Sequence, residues 1–250
     1  MDSLKGHSAI VTGSARGIGK AIASEFATLG ANVALCDVQK EALEETAKEI
    51  REKTGVKVFH KVVNIAKEEE VNAFVADVER TFGSIQILVN NAGIHPLHRI
   101  EEITSEEWDL VMAVNLRAMF YFCKAVLPRM RKQRYGRIIN ISSEAGKHGG
   151  TVAACHYAAS KGGVLAFTRN LAQQVGMDNI TANAICPGRI VTAMANAASK
   201  EENQKFIDNS ILKRLGDPED VAFAASYLAS PRAKFITGES MMVNGGTLRD

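Results

Sequence analysis

Tyr157 and Lys161 stand four residues apart in the segment Tyr157-Ala158-Ala159-Ser160-Lys161, and in a helix this spacing puts both side chains on one face. A free tyrosine has a pKa of about 10, and a nearby ammonium group favours the phenolate. The pair could therefore act as a general acid and base. The same spacing also arises when a half-buried tyrosine happens to lie beside a solvated lysine, so support has to come from the rest of the chain.

A glycine-rich segment near the N-terminus predicts a dinucleotide site. The apolar run 9–11 leads into Thr12-Gly13-Ser14-Ala15-Arg16-Gly17-Ile18-Gly19, and residues 20–29 have a helix-forming composition, which indicates a strand, a turn and a helix. Gly13 permits the turn, while Gly17 and Gly19 allow a pyrophosphate to approach and the helix to pack closely. The helix N-terminus offers N–H groups to the anion. The spacing differs from the commonest fingerprint, so a plain strand-to-helix turn is the alternative.

Asp37 ends the next apolar run, residues 32–37, and stands eighteen residues after Gly19. That offset is near the usual one for a carboxylate that binds ribose hydroxyls. The same carboxylate would meet a 2′-phosphate with like charge. The sequence therefore favours NAD over NADP.

Composition indicates one soluble domain. The chain has 250 residues, 46% of them hydrophobic and 23% charged, with a net charge of +2, which gives no reason to expect nucleic acid as a partner. The N-terminus lacks a signal-type apolar region and no stretch approaches a membrane span, so we expect a cytoplasmic protein with no membrane partner. The four cysteines, Cys36, Cys123, Cys155 and Cys186, are scattered, which predicts reduced, buried thiols and no metal site.

Strand-like and helix-like segments alternate to the C-terminus without a linker. Strands are predicted at 8–12, 32–37, 56–62, 86–90, 136–142, 179–186 and 239–243, and helices at 17–29, 39–53, 67–82, 105–132, 156–175 and 218–229. This alternation predicts an α/β fold, a Rossmann-type doubly wound parallel sheet of about seven strands with helices on both faces, in a single domain spanning 1–250. Asp217-Pro218 is predicted to open the helix at 218–229.

Several motifs in one order resemble the short-chain dehydrogenase/reductase family between residues 5 and 246. They are Thr12-Gly13-x-x-x-Gly17-x-Gly19, Asn90-Asn91-Ala92-Gly93, Asn115, Ser143, Tyr157-x-x-x-Lys161 and Pro187-Gly188-x-x-x-Thr192. The resemblance implies that Tyr157 is the acid/base and that Lys161 holds the nicotinamide ribose and lowers the pKa of the phenol. It further implies that Ser143 binds the substrate oxygen and that Asn115 fixes a water linking Lys161 to solvent.

The resemblance also implies a set of residues that bind the cofactor. They are Gly13, Ser14, Arg16, Gly17, Ile18, Gly19, Asp37, Val38, Asn64, Ile65, Asn91, Ala92, Gly93, Tyr157, Lys161, Pro187, Gly188, Ile190 and Thr192. Asn64 departs from the aspartate that relatives usually place at the adenine edge. Arg16 stands where NADP-preferring relatives often carry a basic residue, or it is a solvent-facing turn residue.

Ser142 and Ser143 compete for the role of the substrate-binding serine. Adjacent strand residues point to opposite faces, so only one of them can face Tyr157. Ser143 lies fourteen residues before Tyr157 and Ser142 fifteen, and the shorter spacing is nearer to that of the family. We therefore choose Ser143.

The predicted wall around the substrate oxygen is polar and somewhat basic. Its expected members are His95, Pro96, His98, Lys147, His148, His156, Arg189 and Met194, of which His95, His148, Arg189 and Met194 join Ser143 and Tyr157 as the candidate substrate residues. This wall predicts a small polar or anionic secondary alcohol or ketone of the polyol, sugar or hydroxy-acid type. For each histidine, a surface position without a binding role is the alternative.

Two other functions remain open. The first is an NADPH-dependent 3-oxoacyl-carrier-protein reductase that uses the basic run at Arg129, Arg131, Lys132, Arg134 and Arg137 to dock an acidic carrier. Asp37 opposes it, as does Asp178, which stands where such reductases often carry an arginine; we interpret the basic run as solvated charge near a helix end. The second is an NAD-binding sensor or scaffold without chemistry.

Two further expectations concern the outside of the domain. The segment 193–212 is rich in Ala, Asn, Lys and Glu in its first part, which favours a mobile helical lid over the substrate, with a solvated loop as the alternative. By resemblance, the chain forms a homo-oligomer, a tetramer, through the helices near 105–132 and 156–175.

Overall fold

The computed structural model describes residues 3–150, 153–192 and 200–249. Seven parallel strands form one sheet in the order β3-β2-β1-β4-β5-β6-β7. They are β1 (Ser8–Thr12), β2 (Asn32–Asp37), β3 (Val58–Val62), β4 (Ile87–Asn90), β5 (Gly136–Ile141), β6 (Ile180–Pro187) and β7 (Ser240–Val243). The predicted single-domain, doubly wound α/β fold is confirmed.

Nine α-helices are assigned within the described ranges. They are α1 (Gly17–Thr28), α2 (Lys40–Thr54), α3 (Glu68–Phe82), α4 (Ser105–Met112), α5 (Ala118–Gln133), α6 (Ala145–His148), α7 (Cys155–Val175), α8 (Lys200–Asn209) and α9 (Pro218–Ala229). A π-helical stretch, Ala113–Arg117, joins α4 to α5 where one continuous helix was predicted. The short helix α6 was not predicted, and α8 lies inside the predicted lid segment. At the start of α9, the Asp217 N–H donates to the Asp220 carboxylate at 2.9 Å, and Pro218 takes the first helical position as predicted.

Alternate residues of each central strand enter different cores, because a parallel sheet covered on both faces buries both sides of its strands. In β1, Ala9 and Val11 pack with α1 and α9, whereas Ile10 packs with α3, α5 and α7. The strand order changes direction between β1 and β4. Connections on the two sides of this point leave the sheet toward opposite faces, which opens a crevice at the carboxyl ends of the strands.

Arg137 and Cys155 differ from their predicted environments. Arg137 was expected to be solvated, but it is 2% exposed, and its guanidinium lies over the Tyr135 ring, 4.3 Å from the centroid. Its place on β5 forces it into the sheet, beyond the exposed end of α5. Cys155 was expected to be buried but is exposed, because it occupies the first turn of α7, while the other three thiols are buried.

Residues Ser105–Gln133 form the one helical stretch among the described residues that is long and apolar enough to cross a membrane by composition alone. The sequence-based expectation did not foresee it. Core helices of soluble proteins pass the same test, and Met119, Phe122 and Val126 of this stretch are buried against the sheet. The cellular location therefore stays a prediction.

Candidate active site

The glycine-rich turn is closed by backbone contacts that only glycine permits. Gly13 has φ +64°, and a Cβ built there would lie 2.7 Å from the Ala92 Cα. A Cβ at Gly19 would collide with the carbonyl group of Gly13. The amide of Asn91 donates to the carbonyl oxygens of Thr12 and Gly13 at 2.9 and 3.0 Å, and this holds the loop after β4 against the turn.

Helix α1 begins at Gly17 directly above this turn, and Arg16 precedes it in an extended conformation. No side chain in the described ranges caps this N-terminus, and its first turn carries no acidic residue. The first N–H groups of a helix have no partner within the helix, so they are available to an anion at the mouth of the crevice. These features fit the pyrophosphate of a dinucleotide.

Asp37 lies at the end of β2 with its carboxylate held by three backbone N–H groups. One oxygen accepts from Val38 at 2.7 Å and Gln39 at 3.1 Å, and the other accepts from Ala15 at 3.0 Å. A carboxylate has about four acceptor sites, which leaves capacity for ribose hydroxyls. Asp37 lines the crevice.

The crevice is a cleft of 760 Å³ at the carboxyl ends of the strands, within the usual range for a cofactor site. It brings together most residues predicted to bind cofactor, namely Gly13, Arg16, Gly17, Ile18, Asp37, Val38, Asn64, Ile65, Asn91, Ala92, Gly93, Tyr157, Lys161, Pro187, Gly188, Ile190 and Thr192. Two predicted members do not line it. Ser14 is fully buried and its hydroxyl faces the Cys36 carbonyl oxygen at 3.4 Å, and Gly19 is buried against Gly13.

The predicted substrate residues His95, Ser143, His148, Tyr157 and Arg189 also line the cleft, and Met194 falls outside the described residues. Lys147, His98 and His156 do not line it. Phe206 of α8 and Glu144 do, and neither was predicted from the sequence. Glu144 accepts a 2.6 Å hydrogen bond from the Thr247 hydroxyl, a contact between distant segments that no local pattern could indicate.

Tyr157 and Lys161 lie in the first two turns of α7 and both line the cleft. The Lys161 Nζ donates to the Ile141 carbonyl oxygen at 2.9 Å and lies 5.7 Å from the centre of the Tyr157 ring. Burial lowers the pKa of Lys161 to about 8, because a low dielectric disfavours the ammonium.

The pKa of Tyr157 in the protein chain alone is raised, not lowered as the sequence led us to expect. Burial is the larger cause, and a hydrogen bond with Ser143 opposes it. Desolvation of the phenolate therefore raises the pKa more than the hydrogen bond with Ser143 lowers it. The net lowering of this pKa that the sequence led us to expect is therefore wrong for the chain alone, in which burial dominates.

The two serines after β5 point in different directions, as strand alternation predicted. The Ser142 hydroxyl donates to the Lys161 carbonyl oxygen at 2.9 Å and is buried. Ser143 lines the cleft, its oxygen accepts the Ala145 N–H at 3.1 Å, and it is hydrogen-bonded to Tyr157. The geometry therefore places Ser143, rather than Ser142, beside the phenol.

Asn115 lies in the π-helical stretch and is 4% exposed. Its oxygen accepts the Ile94 N–H at 2.9 Å, and its amide donates to the Ile94 carbonyl oxygen at 3.0 Å and to the Ser160 hydroxyl at 3.1 Å. A Cβ built on Gly93 would lie 3.3 Å from the Asn115 oxygen and 3.5 Å from the Lys161 Nζ. Asn115 thus ties the loop after β4 to α7 immediately beside Lys161.

At the substrate end, the His95 ring packs against the Tyr157 ring, with 3.9 Å between the ring centres and an angle of 33° between the ring planes. Burial lowers the pKa of His95 to about 4, and the charges of Arg189 and Lys161 contribute, so this ring is neutral near pH 7. Arg189 donates to the Asn203 side chain at 3.2 Å, and its guanidinium lies 5.2 Å from the centre of the Phe206 ring. Arg189 therefore connects the cleft to α8.

Taken together, the crevice, the turn above α1 and the serine–tyrosine–lysine group define a nicotinamide-dependent oxidoreductase of the single-domain type. Residues 13–247 match the family model described as enoyl-(acyl carrier protein) reductase. The chain belongs to the short-chain dehydrogenase/reductase family, and the sequence-based recognition of that family is confirmed.

Several curated relatives and solved structures resemble the chain along almost its whole length. A protein named 3-oxoacyl-[acyl-carrier-protein] reductase FabG from Staphylococcus epidermidis is 40% identical over 96% of this chain and 98% of its own, and one from Vibrio cholerae is 40% identical over 98% of both. A 3-oxoacyl-[acyl-carrier protein] reductase from Brucella melitensis superposes with a TM-score of 0.92 at 36% identity, covering 98% of this chain and 92% of its own. A putative gluconate dehydrogenase from Agrobacterium tumefaciens superposes with a TM-score of 0.95 at 29% identity, covering 99% and 98%.

Proposed function

We propose that the chain is a ketoreductase that converts the 3-oxo group of an acyl thioester into a secondary alcohol. The juxtaposition of Ser143, Tyr157 and Lys161 on one wall of the cleft carries the reaction class. The relatives named as 3-oxoacyl reductases, at 40% identity along almost the whole chain, support the substrate class. They favour it over the small polyol or hydroxy acid that the polar wall first suggested.

The chain's residues would handle the oxygen of the substrate. Reduced nicotinamide, when bound, supplies the hydride to the carbonyl carbon. As the C=O π pair moves onto oxygen, Tyr157 gives that oxygen its phenolic proton. A second hydrogen bond from Ser143 stabilises the developing alkoxide charge. Lys161, held by the Ile141 carbonyl group, would orient the ribose and favour the phenolate left on Tyr157.

A second candidate is an NAD-dependent dehydrogenase of a polar or anionic secondary alcohol. Asp37 favours this candidate, because its carboxylate lines the cleft at the end of β2. There it could accept the hydroxyls of a ribose, and it would repel a 2′-phosphate. The ion pairs made by the basic run also favour the dehydrogenase over a reductase that docks a carrier protein. Arg129 is paired with Glu79, and both Arg131 and Arg134 are paired with Asp178, so these cations are engaged within the chain instead of being reserved for an acidic carrier.

A single assay separates the two candidates. Nicotinamide absorbance is followed with a short 3-oxoacyl thioester of pantetheine and with a panel of polyols and hydroxy acids, using both cofactors. We expect kcat/KM to be highest for the thioester. Faster turnover of a polyol or hydroxy acid would overturn the thioester proposal in favour of the second candidate. Cofactor binding without turnover of any substrate would favour a sensor or scaffold.

We further propose that NAD(H) is the preferred cofactor, with Asp37 as the cause. Replacing Asp37 with serine removes the like charge that a 2′-phosphate would meet, so the ratio of kcat/KM for NADH to that for NADPH should fall by about tenfold or more. Steady-state kinetics with each cofactor measure this ratio. Asp178→Ser, the same chemical change at the amino edge of the sheet, is the control and should leave the ratio unchanged. A wild-type enzyme that prefers NADPH would contradict the proposal.

The oligomeric state stays a proposal as well. On the outside of α4 and α5, Trp108, Leu110 and Phe120 are 39%, 51% and 44% exposed. These large apolar side chains lie on the helices through which the resemblance predicts association. They support a homo-oligomer, and the tetramer remains the expected size.

A further inference from the structure

Tyr157 owes part of its position to the first turn of α7. That helix begins at Cys155, and the preceding Ala154 has no side-chain oxygen to cap it. The first backbone hydrogen bond of the helix joins the Ala158 N–H to the Ala154 carbonyl oxygen at 3.1 Å. The Tyr157 N–H therefore needs a partner from outside the helical pattern. The Nδ1 atom of His156 accepts it at 2.8 Å.

This contact fixes the tautomer of His156. An imidazole nitrogen accepts a hydrogen bond only when it carries no proton, so the proton lies on Nε2. The Nε2 atom donates to a carboxylate oxygen of Glu107 on α4 at 2.8 Å. The His156 side chain is fully buried, so a lost partner would leave its N–H group unsatisfied. One imidazole thus links the backbone of Tyr157 to a neighbouring helix.

Glu107 also reaches the other side of Tyr157. Its second carboxylate oxygen is 2.7 Å from the Nδ1 atom of His98. His98 belongs to the loop after β4 that carries His95, and the His95 ring packs against the Tyr157 ring. The Glu107 carboxylate is therefore bonded to His156, which accepts the Tyr157 N–H, and to His98, in the loop whose His95 contacts the Tyr157 ring.

We infer that Glu107 and His156 are positioning residues for Tyr157, setting the orientation of its phenol without touching substrate or cofactor. This inference rests on the proposed role of Tyr157 as the acid/base. A proton donor displaced by about 1 Å from its acceptor loses on the order of 10²-fold in rate. The arrangement needs a hydrogen-bond acceptor at position 107, and the negative charge of the carboxylate is dispensable for it.

Two variants of Glu107 test this distinction. Glu107→Leu removes the acceptor and should lower kcat by about 10- to 100-fold while KM for the cofactor stays unchanged. Glu107→Gln keeps an oxygen for the His156 N–H and offers an amide N–H to His98, so we expect it to restore most of kcat. Equal losses in both variants, or normal kcat in Glu107→Leu, would overturn the inference.

A third variant gives a readout that needs no substrate. His156→Leu leaves the Tyr157 N–H without its acceptor, and hydrogen exchange of this amide should become about tenfold faster or more, together with a fall in kcat. Val175→Ala, at the far end of the same helix, creates a cavity in the buried core and controls for general destabilisation. If Val175→Ala lowers kcat as much as the other variants do, Glu107 and His156 are merely structural.

Tyr157→Phe separates the failure of this inference from the failure of the proposed function. An active Tyr157→Phe enzyme would remove the role on which the inference depends. An inactive one, combined with normal kcat in Glu107→Leu and His156→Leu, would refute the inference and leave the proposed function standing.

Discussion

Tyr157→Phe should lower kcat by about 10²–10⁴-fold with whichever ketone or alcohol proves to be the substrate. The change removes one oxygen, and with it the proton that must reach the substrate oxygen as hydride is transferred. The ring is retained, so its contact with His95 and the shape of the cleft are preserved. Dinucleotide affinity, measured by titration of the nicotinamide fluorescence, should stay within a few-fold of wild type.

Tyr135→Phe is the matched control for this variant. The Tyr135 hydroxyl is also buried, and it has no hydrogen-bond partner among the described residues, but it lies at the amino edge of the sheet beside Arg137. The substitution should leave kcat and KM unchanged. Undiminished turnover in Tyr157→Phe, or an equal loss in both variants, would contradict the assignment of the acid/base.

Lys161→Met should lower kcat by about 10²-fold or more, because the variant can neither hold a ribose hydroxyl nor favour the phenolate.

The same substitution should change how the free energy of unfolding depends on pH. The pKa of Lys161 falls from its usual 10.5 to about 8 on folding. Between these values the unfolded chain binds more protons than the folded one, so the free energy of unfolding rises with pH in this window.

The expected size of this effect is about 3 kcal/mol across the window. Below pH 8 the folded protein bears the full cost of a buried ammonium, and above pH 10.5 that cost is gone. The free energy of unfolding of wild type, relative to Lys161→Met, should therefore increase from pH 8 to pH 10.5. Denaturant unfolding of both proteins at matched pH values measures the difference, in which the titrations common to both cancel. A difference that does not vary with pH would show that the ammonium is not desolvated.

Most of the fold could be predicted because each element satisfies a local rule. The apolar runs of β1, β2 and β4 are continuous since both faces are covered, and glycine or charged residues mark where the helices end. The π-helical stretch at Ala113–Arg117 could not be predicted. It follows from the need to bring the Asn115 side chain to the Ile94 backbone, which is a tertiary demand.

The site was predicted where a motif encodes backbone geometry and missed where side chains from distant segments meet. Gly13 follows from a steric rule, and Ser143 follows from strand alternation together with the spacing that the family resemblance implies. The pairing of Glu107 with His156 spans 49 positions of the chain, and the direction of the Tyr157 pKa depends on burial. A local sequence pattern could predict neither the Glu107–His156 pairing nor the direction of this pKa. Ser14 does not line the cleft, because the side chain of a turn residue can point inward as readily as toward a ligand.

Under the proposed coenzyme preference, Asp37 would perform two tasks at once, and this would constrain how the protein can change over evolutionary time. Its carboxylate would oppose a 2′-phosphate and, by accepting the Ala15 N–H, it also fastens the glycine-rich turn to β2. A lineage that exchanged this residue to accept a phosphorylated coenzyme would loosen the turn that either coenzyme requires. Coenzyme choice would therefore be coupled to the rigidity of the glycine-rich turn, and a stable change of coenzyme would need a second substitution that fastens this turn again.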